Sequence, residues 1–143
     1  MKQTVIFDMH MTLFRLKNSD VNSIEAMPQA IETFLSFYNL GYKIVIMSTS
    51  DIQNSRERLQ ILLQNYGLET EEIKIIFKEI DILSMQFFGS KHTKEAWLEA
   101  MKPYKNISYI FEDGEAKLHA AGEAAKELGN DAELFTSVAD FAN

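Results

Sequence analysis

The chain has no cysteine, only two prolines and only six glycines in 143 residues. Without cysteine there is no disulfide framework, no thiolate nucleophile and no thiolate metal ligand. Nothing calls for an oxidising compartment, and a cytoplasmic setting is the expectation. So little Pro and Gly excludes collagen-like and linker composition. Basic residues are also scarce: 14 Lys and Arg stand against 21 Asp and Glu, a formal charge of −7. That balance argues against strong non-specific binding to nucleic acid or to an anionic membrane, both of which need a basic surface. It leaves room for a nucleic-acid end held in a local pocket. Nowhere do about 18 apolar residues run together, the length a membrane span needs. The opening MKQTVIFDMH carries one Lys and an apolar run of only three before Asp8, too short for a signal peptide.

What is present is a large apolar fraction, 46%, with 11% aromatic. This is ample for a core, so disorder is excluded for most of the chain. A chain of this length is expected to form one domain over residues 1–143 and to bury about two-thirds of its unfolded surface.

Apolar runs with β-rich composition fall at Thr4–Phe7, Lys43–Met47, Ile73–Phe77, Ile107–Phe111 and Ala132–Phe135. They are continuous rather than alternating, as strands covered on both faces are. Helical spacing lies between them. One helix runs from near Pro28 to Leu40, with Gly41 as its stop. Others run from about Asp51 to Gly67, over about Thr93–Met101, and over about Glu115–Leu128. Phe14–Ala26 reads as a loop or short flap. Lys78–Gly89 reads as a helix or a buried connection. Strands alternating with helices predict an α/β fold: a Rossmann-like three-layer sandwich with a central parallel sheet.

In an open parallel sheet, ligands sit beyond the carboxyl ends of the strands. Three runs deliver polar residues to that edge: Asp8, Ser48 and the pair Glu112-Asp113. A lysine near the start of the third helix, Lys91 or Lys94, can join them. Carboxylates suit Mg²⁺, which keeps phosphate oxygens and waters as its other ligands. A hydroxyl and an ammonium suit the oxygens of a transferring phosphoryl group, and a carboxylate can itself be the nucleophile.

At these residues the chain resembles the haloacid dehalogenase-like (HAD) phosphohydrolase superfamily, along nearly its whole length and in the family's order. VIFDMHMTLF resembles the first motif, a hydrophobic strand followed by D-x-D-x-T-L. GYKIVIMSTS resembles the second, a strand ending in Ser or Thr. SKHTKEAWLEAM resembles the third, a Lys opening a helix. ISYIFEDGEAKLHAAGEA resembles the fourth, a strand, acidic residues and an Ala-rich helix. The later half is most similar to polynucleotide 3′-phosphatase domains, which also lack a large cap.

The resemblance implies a capless, Mg²⁺-dependent phosphomonoesterase working through an aspartyl-phosphate. Asp8 is then nucleophile and metal ligand, and Ser48 holds the phosphoryl group. Lys91, preferred to Lys94, neutralises charge, and Asp113 is the second metal carboxylate. The expected partner is a phosphorylated small molecule, a nucleotide or a nucleic-acid 3′-phosphate.

The departures are as informative as the matches. The family's second motif-one Asp, its acid/base, is His10 here. In the family that residue reaches the metal through its backbone carbonyl, so His10 keeps a place among the expected metal ligands. Imidazole can exchange protons near neutral pH, but its cationic form would stand beside a dication. Met11 stands where a glycine is frequent. The further acid usual three to four positions after Asp113 is replaced by Ala116 and Lys117, and Glu112 is the candidate to compensate. Two rival readings follow. One is an impaired module that binds a phosphorylated ligand without turnover. The other is a metal-independent dehalogenase, since those relatives also lack the second Asp.

Overall fold

The computed structural model describes residues 2–18 and 20–142, with the backbone alone for 20–22. Five parallel strands form the central sheet: β1 (Thr4–Asp8), β4 (Lys43–Ser48), β5 (Asp81–Ser84), β6 (Ile107–Phe111) and β7 (Glu133–Phe135). Their spatial order is β5-β4-β1-β6-β7. The chain therefore winds outward from β1 in one direction, then crosses back and continues in the other. The reversal leaves a crevice beyond the carboxyl ends of β1 and β6.

The sheet is covered on both faces, which is why its strands read as unbroken apolar runs. Val5, Phe7, Ile44, Ile46 and Phe111 point to one core, and they pack with side chains of α1 (Ala30–Asn39), α2 (Ile52–Tyr66) and α3 (Thr70–Glu79), and with Phe141 of α6 (Val138–Ala142). Ile6, Val45, Met47 and Ile110 point to the other, under α4 (Lys94–Met101) and α5 (Glu115–Glu127). The alternation is the period-2 geometry of a strand. It slips once: the β1–β6 register shifts between Thr4 and Val5, so Ile107 pairs with Thr4 but Tyr109 with Val5. That bulge puts Ile107 and Ile110 on the same face.

Phe14–Ala26, expected as a loop or short flap, is a hairpin: β2 (Phe14–Lys17) pairs antiparallel with β3 (Asp20–Ala26). Ser19, within that segment, lies outside the described residues.

One expected strand is a helix. Ile73–Phe77 falls inside α3, and the third parallel strand is the shorter Asp81–Ser84, in a stretch expected to be helix or connection. The physical reason is local capping. Glu69 and Glu72 form a reciprocal capping box at the helix start, and Lys78 closes its last turn. Ile73 and Ile76 then share the buried side, while Ile75 is left 54% exposed. β-branched composition alone does not outweigh an intact cap and a helical stripe. A 3-10 turn over Met85–Phe87 follows β5. Among the described residues no helix is long and apolar enough to cross a membrane.

Candidate active site

Asp8 is the last residue of β1 and is 6% exposed. Its Oδ1 accepts a 2.7 Å hydrogen bond from the Lys91 ammonium, and its Oδ2 accepts one of 3.1 Å from the Thr12 hydroxyl. The same ammonium donates to Glu112 Oε1 at 2.7 Å and to the Met47 carbonyl at 2.9 Å. Lys91 thus spends all three donors on the ends of β1, β4 and β6. It is buried at 3% exposure, and Glu112 at 1%.

A lysine this deep is tolerable only because each proton has a partner and two carboxylates face it. Trp97 supports it twice. The indole N–H donates to the Lys91 carbonyl at 2.8 Å, and the ring centroid lies 5.6 Å from the ammonium. Lys94, the alternative, is turned away and pairs at the surface with Glu127 at 2.9 Å.

Asp8, Glu112 and Asp113 each bring a carboxylate oxygen within 4.8 Å of the others. Asp113 is exposed and sits at the mouth of the cluster. Glu112 is oriented by Gly114, whose backbone N–H donates to Oε2 at 3.1 Å. Three carboxylates against one ammonium leave a surplus of negative charge at the crevice. Burial pushes the Asp8 carboxyl up to about 7; the Lys91 charge opposes this and the Glu112 charge adds to it. A group of hard oxygens with excess negative charge fits a hard divalent cation such as Mg²⁺.

The loop after Asp8 is shaped by Met9. Its carbonyl accepts from the N–H groups of Thr12, Leu13 and Phe14, while Met11 N–H donates to Phe14 O at 2.7 Å. Among the described residues no hydrogen bond reaches the His10 carbonyl. The His10 side chain is exposed, its ring centroid 5.4 Å from that of Phe14. Met11 sits at φ 66°, in the left-handed region, where an L side chain costs about 1–2 kcal/mol. That backbone is what glycine would accept without strain.

Ser48 ends β4, one position past the Met47 carbonyl that Lys91 uses, and is 4% exposed. Its hydroxyl accepts from Ser50 N–H at 3.0 Å and lies 2.8 Å from the Ser55 hydroxyl. Ser55 is in the first turn of α2, which Asp51 caps by accepting from Asn54 N–H at 2.7 Å. Ser48 is therefore held at the rim by two neighbours rather than joined to the carboxylate cluster.

Three contributors were not singled out from the sequence. Thr12 is a letter of the first motif, with no role assigned to it. Ser55 carries only the signal of a hydroxyl in the first turn after a capped start. Trp97 is the chain's single tryptophan, but nothing in its spacing announces a hydrogen bond to Lys91.

No protein-family profile matches the chain, and no curated protein matches it by sequence. Solved structures do match. The HAD domain of effector protein Lem4 from Legionella pneumophila superimposes with a TM-score of 0.61 at 13% identity, covering 94% of this chain and 86% of that one. The chain has the HAD-like fold. An uncharacterized protein from Listeria monocytogenes serotype 4b gives 0.62 at 20% identity, over 92% of this chain and 77% of that one. A Thermotoga maritima protein, whose β-phosphoglucomutase name is itself an inference, gives 0.61 at 14% identity, over 86% and 82%. On this HAD-like fold, Asp8, Ser48 and the pair Glu112-Asp113 lie at or just past the carboxyl ends of β1, β4 and β6, with Lys91 on the loop before α4.

Proposed function

We propose that this HAD-like domain is a Mg²⁺-dependent phosphomonoesterase that works through a phosphorylated Asp8. The observation that supports it most is the Lys91 ammonium held 2.7 Å from both Asp8 and Glu112, beside a three-carboxylate cluster at the switch point of the sheet.

Asp8, Asp113 and the His10 carbonyl are the groups that would hold Mg²⁺, with Glu112 behind them. Bound there, Mg²⁺ would supply charge neutralisation for an incoming phosphate dianion. Asp8 attacks phosphorus in line, forming a bond from a carboxylate oxygen as the ester P–O bond breaks. Lys91 offsets the negative charge gathered between Asp8 and the phosphoryl oxygens. Ser48, already fixed by Ser50 and Ser55, offers its hydroxyl to one of those oxygens. His10, exposed on the loop beside Asp8, is the proton carrier in reach of the leaving group. It then assists the water that hydrolyses the aspartyl-phosphate. A carboxylate acid/base has become an imidazole, so slow turnover and a preference for good leaving groups are expected.

The substitution at His10 also favours a second reading, a module that binds phosphate without turning it over. Hydrolysis of an aryl phosphate with Mg²⁺, in wild type, Asp8→Asn and His10→Asp, separates them. Turnover that Asp8→Asn abolishes and EDTA removes supports the phosphatase. No turnover in the wild type, with activity gained by His10→Asp, supports the module. Metal-independent turnover of a haloacid instead would point to a dehalogenase.

A further inference from the structure

Two openings flank the reaction centre and meet at Thr49. They differ sharply in size. The one beside His10, Ser48, Ser55 and Arg58 has room for about 10 Å³, no more than one water-sized group. It can take an oxygen of the phosphoryl group, the ester oxygen that His10 would protonate included, but not the organic part of a leaving group. The other, with Lys91 among its lining residues, is an open groove of about 290 Å³, near the lower bound of small-molecule sites. Met85 and Gly89 give it an apolar wall, and Gln86, His92 and Lys117 line it with polar ends.

Among the described residues, the one charge on this groove's lining without an ion-pair partner is positive, opposite in sign to the chain. Its lining includes Lys91, His92 and Lys117 and contains no Asp or Glu, although the protein as a whole is at −7. Lys91 is consumed by Asp8 and Glu112. Lys117 is not: among the described residues it has no carboxylate at ion-pair distance. Its stem lies over Gly114, where a built Cβ would meet Lys117 Cδ at 3.1 Å. A Cβ at position 114 would make that contact tight, and the Lys117 stem would have to give by a few tenths of an ångström. With glycine there, the stem of Lys117, which lines the groove from α5, packs close over the backbone.

Resting on the phosphomonoesterase reading, we infer that this groove seats the leaving group. Lys117, with His92 from the loop before α4, recognises a second anionic group on it, so the substrates are phosphomonoesters whose alcohol part carries a carboxylate or another phosphate. A charge-assisted contact of this kind discriminates by roughly tenfold in affinity.

The test compares para-carboxyphenyl phosphate with its neutral isostere para-carbamoylphenyl phosphate, and with para-phenylene bisphosphate, in Mg²⁺. The wild type is expected to favour the anionic esters by about tenfold in kcat/KM, mainly through KM. Lys117→Met is expected to bring that ratio close to one, Lys117→Arg to keep it and Lys117→Glu to invert it. The preferred ester of the two anionic ones tells carboxylate from phosphate. A wild-type ratio near one, or a ratio that Lys117→Met leaves in place, overturns the inference. If no ester is hydrolysed, the phosphatase reading fails on its own. Thermal shifts with para-carboxybenzylphosphonate and its carbamoyl counterpart then decide the groove. A larger shift for the carboxylate that Lys117→Met removes sustains it, and equal shifts overturn it.

Discussion

Trp97 donates its indole N–H to the Lys91 carbonyl at 2.8 Å while its ring sits 5.6 Å from the Lys91 ammonium. One residue thus fixes both ends of the lysine that joins β1, β4 and β6. Trp97→Phe keeps most of the packing and removes the hydrogen bond, at a cost of about 1 kcal/mol. The melting temperature should fall by roughly 2–4 °C. The kinetic effect should fall on kcat, several-fold, with KM nearly constant, because Lys91 is mispositioned rather than lost. Steady-state kinetics with an aryl phosphate checks the split.

The raised Asp8 carboxyl links stability to pH. Its folded value of about 7 lies above its ordinary 3.8. Between these values the folded state keeps a proton that the unfolded state releases. Stability from this group is therefore present below pH 4 and lost as pH rises to about 7. Asp8→Asn cannot titrate. Without metal it should be the more stable protein at pH 8, by roughly 5–10 °C, and the gap should close toward pH 4–5. Thermal melts in EDTA across that range test this; parallel curves for the two proteins would contradict it.

Lys91→Met leaves Asp8 and Glu112 facing each other with no cation between them. Breaking a buried pair in this way costs about 3–5 kcal/mol. Turnover should drop by about 10²–10³-fold. Mg²⁺ should raise the melting temperature of this variant more than that of the wild type, since added positive charge replaces the ammonium. Melts with and without Mg²⁺ read out both effects.

The Ser48–Ser55 contact of 2.8 Å predicts a milder phenotype. Ser55→Ala frees the Ser48 hydroxyl to rotate away from its working position. KM for an aryl phosphate should rise a few-fold, and stability should fall by about 1 kcal/mol. An unchanged KM would mean that Ser48 does not hold the phosphoryl group.

Much of this arrangement was legible because parallel strands and their ends leave strong marks. Thr4–Asp8, Lys43–Ser48 and Ile107–Phe111 are apolar runs closed by polar residues, and the topology carries those ends to one edge. The third strand was not legible. Four residues, Asp81–Ser84, carry too little pattern, and the neighbouring IKIIF looks more β-like while its cap makes it helix. For the lysine, the sequence prefers Lys91 to Lys94 through the resemblance alone. The difference lies in a tertiary hydrogen bond to Trp97 and in a surface partner, Glu127, 33 residues away. The contribution of Thr12 to Asp8 depends on the loop folding back around the Met9 carbonyl, which no periodicity encodes.

The most direct measurement is acid quench of the protein during turnover of an aryl phosphate with Mg²⁺, followed by peptide mass spectrometry. The peptide containing Asp8 should carry one phosphoryl group, labile to hydroxylamine and absent in Asp8→Asn, which should also lose turnover. Sustained hydrolysis in Asp8→Asn, or a phosphoryl group found on a different residue, would contradict a nucleophilic Asp8.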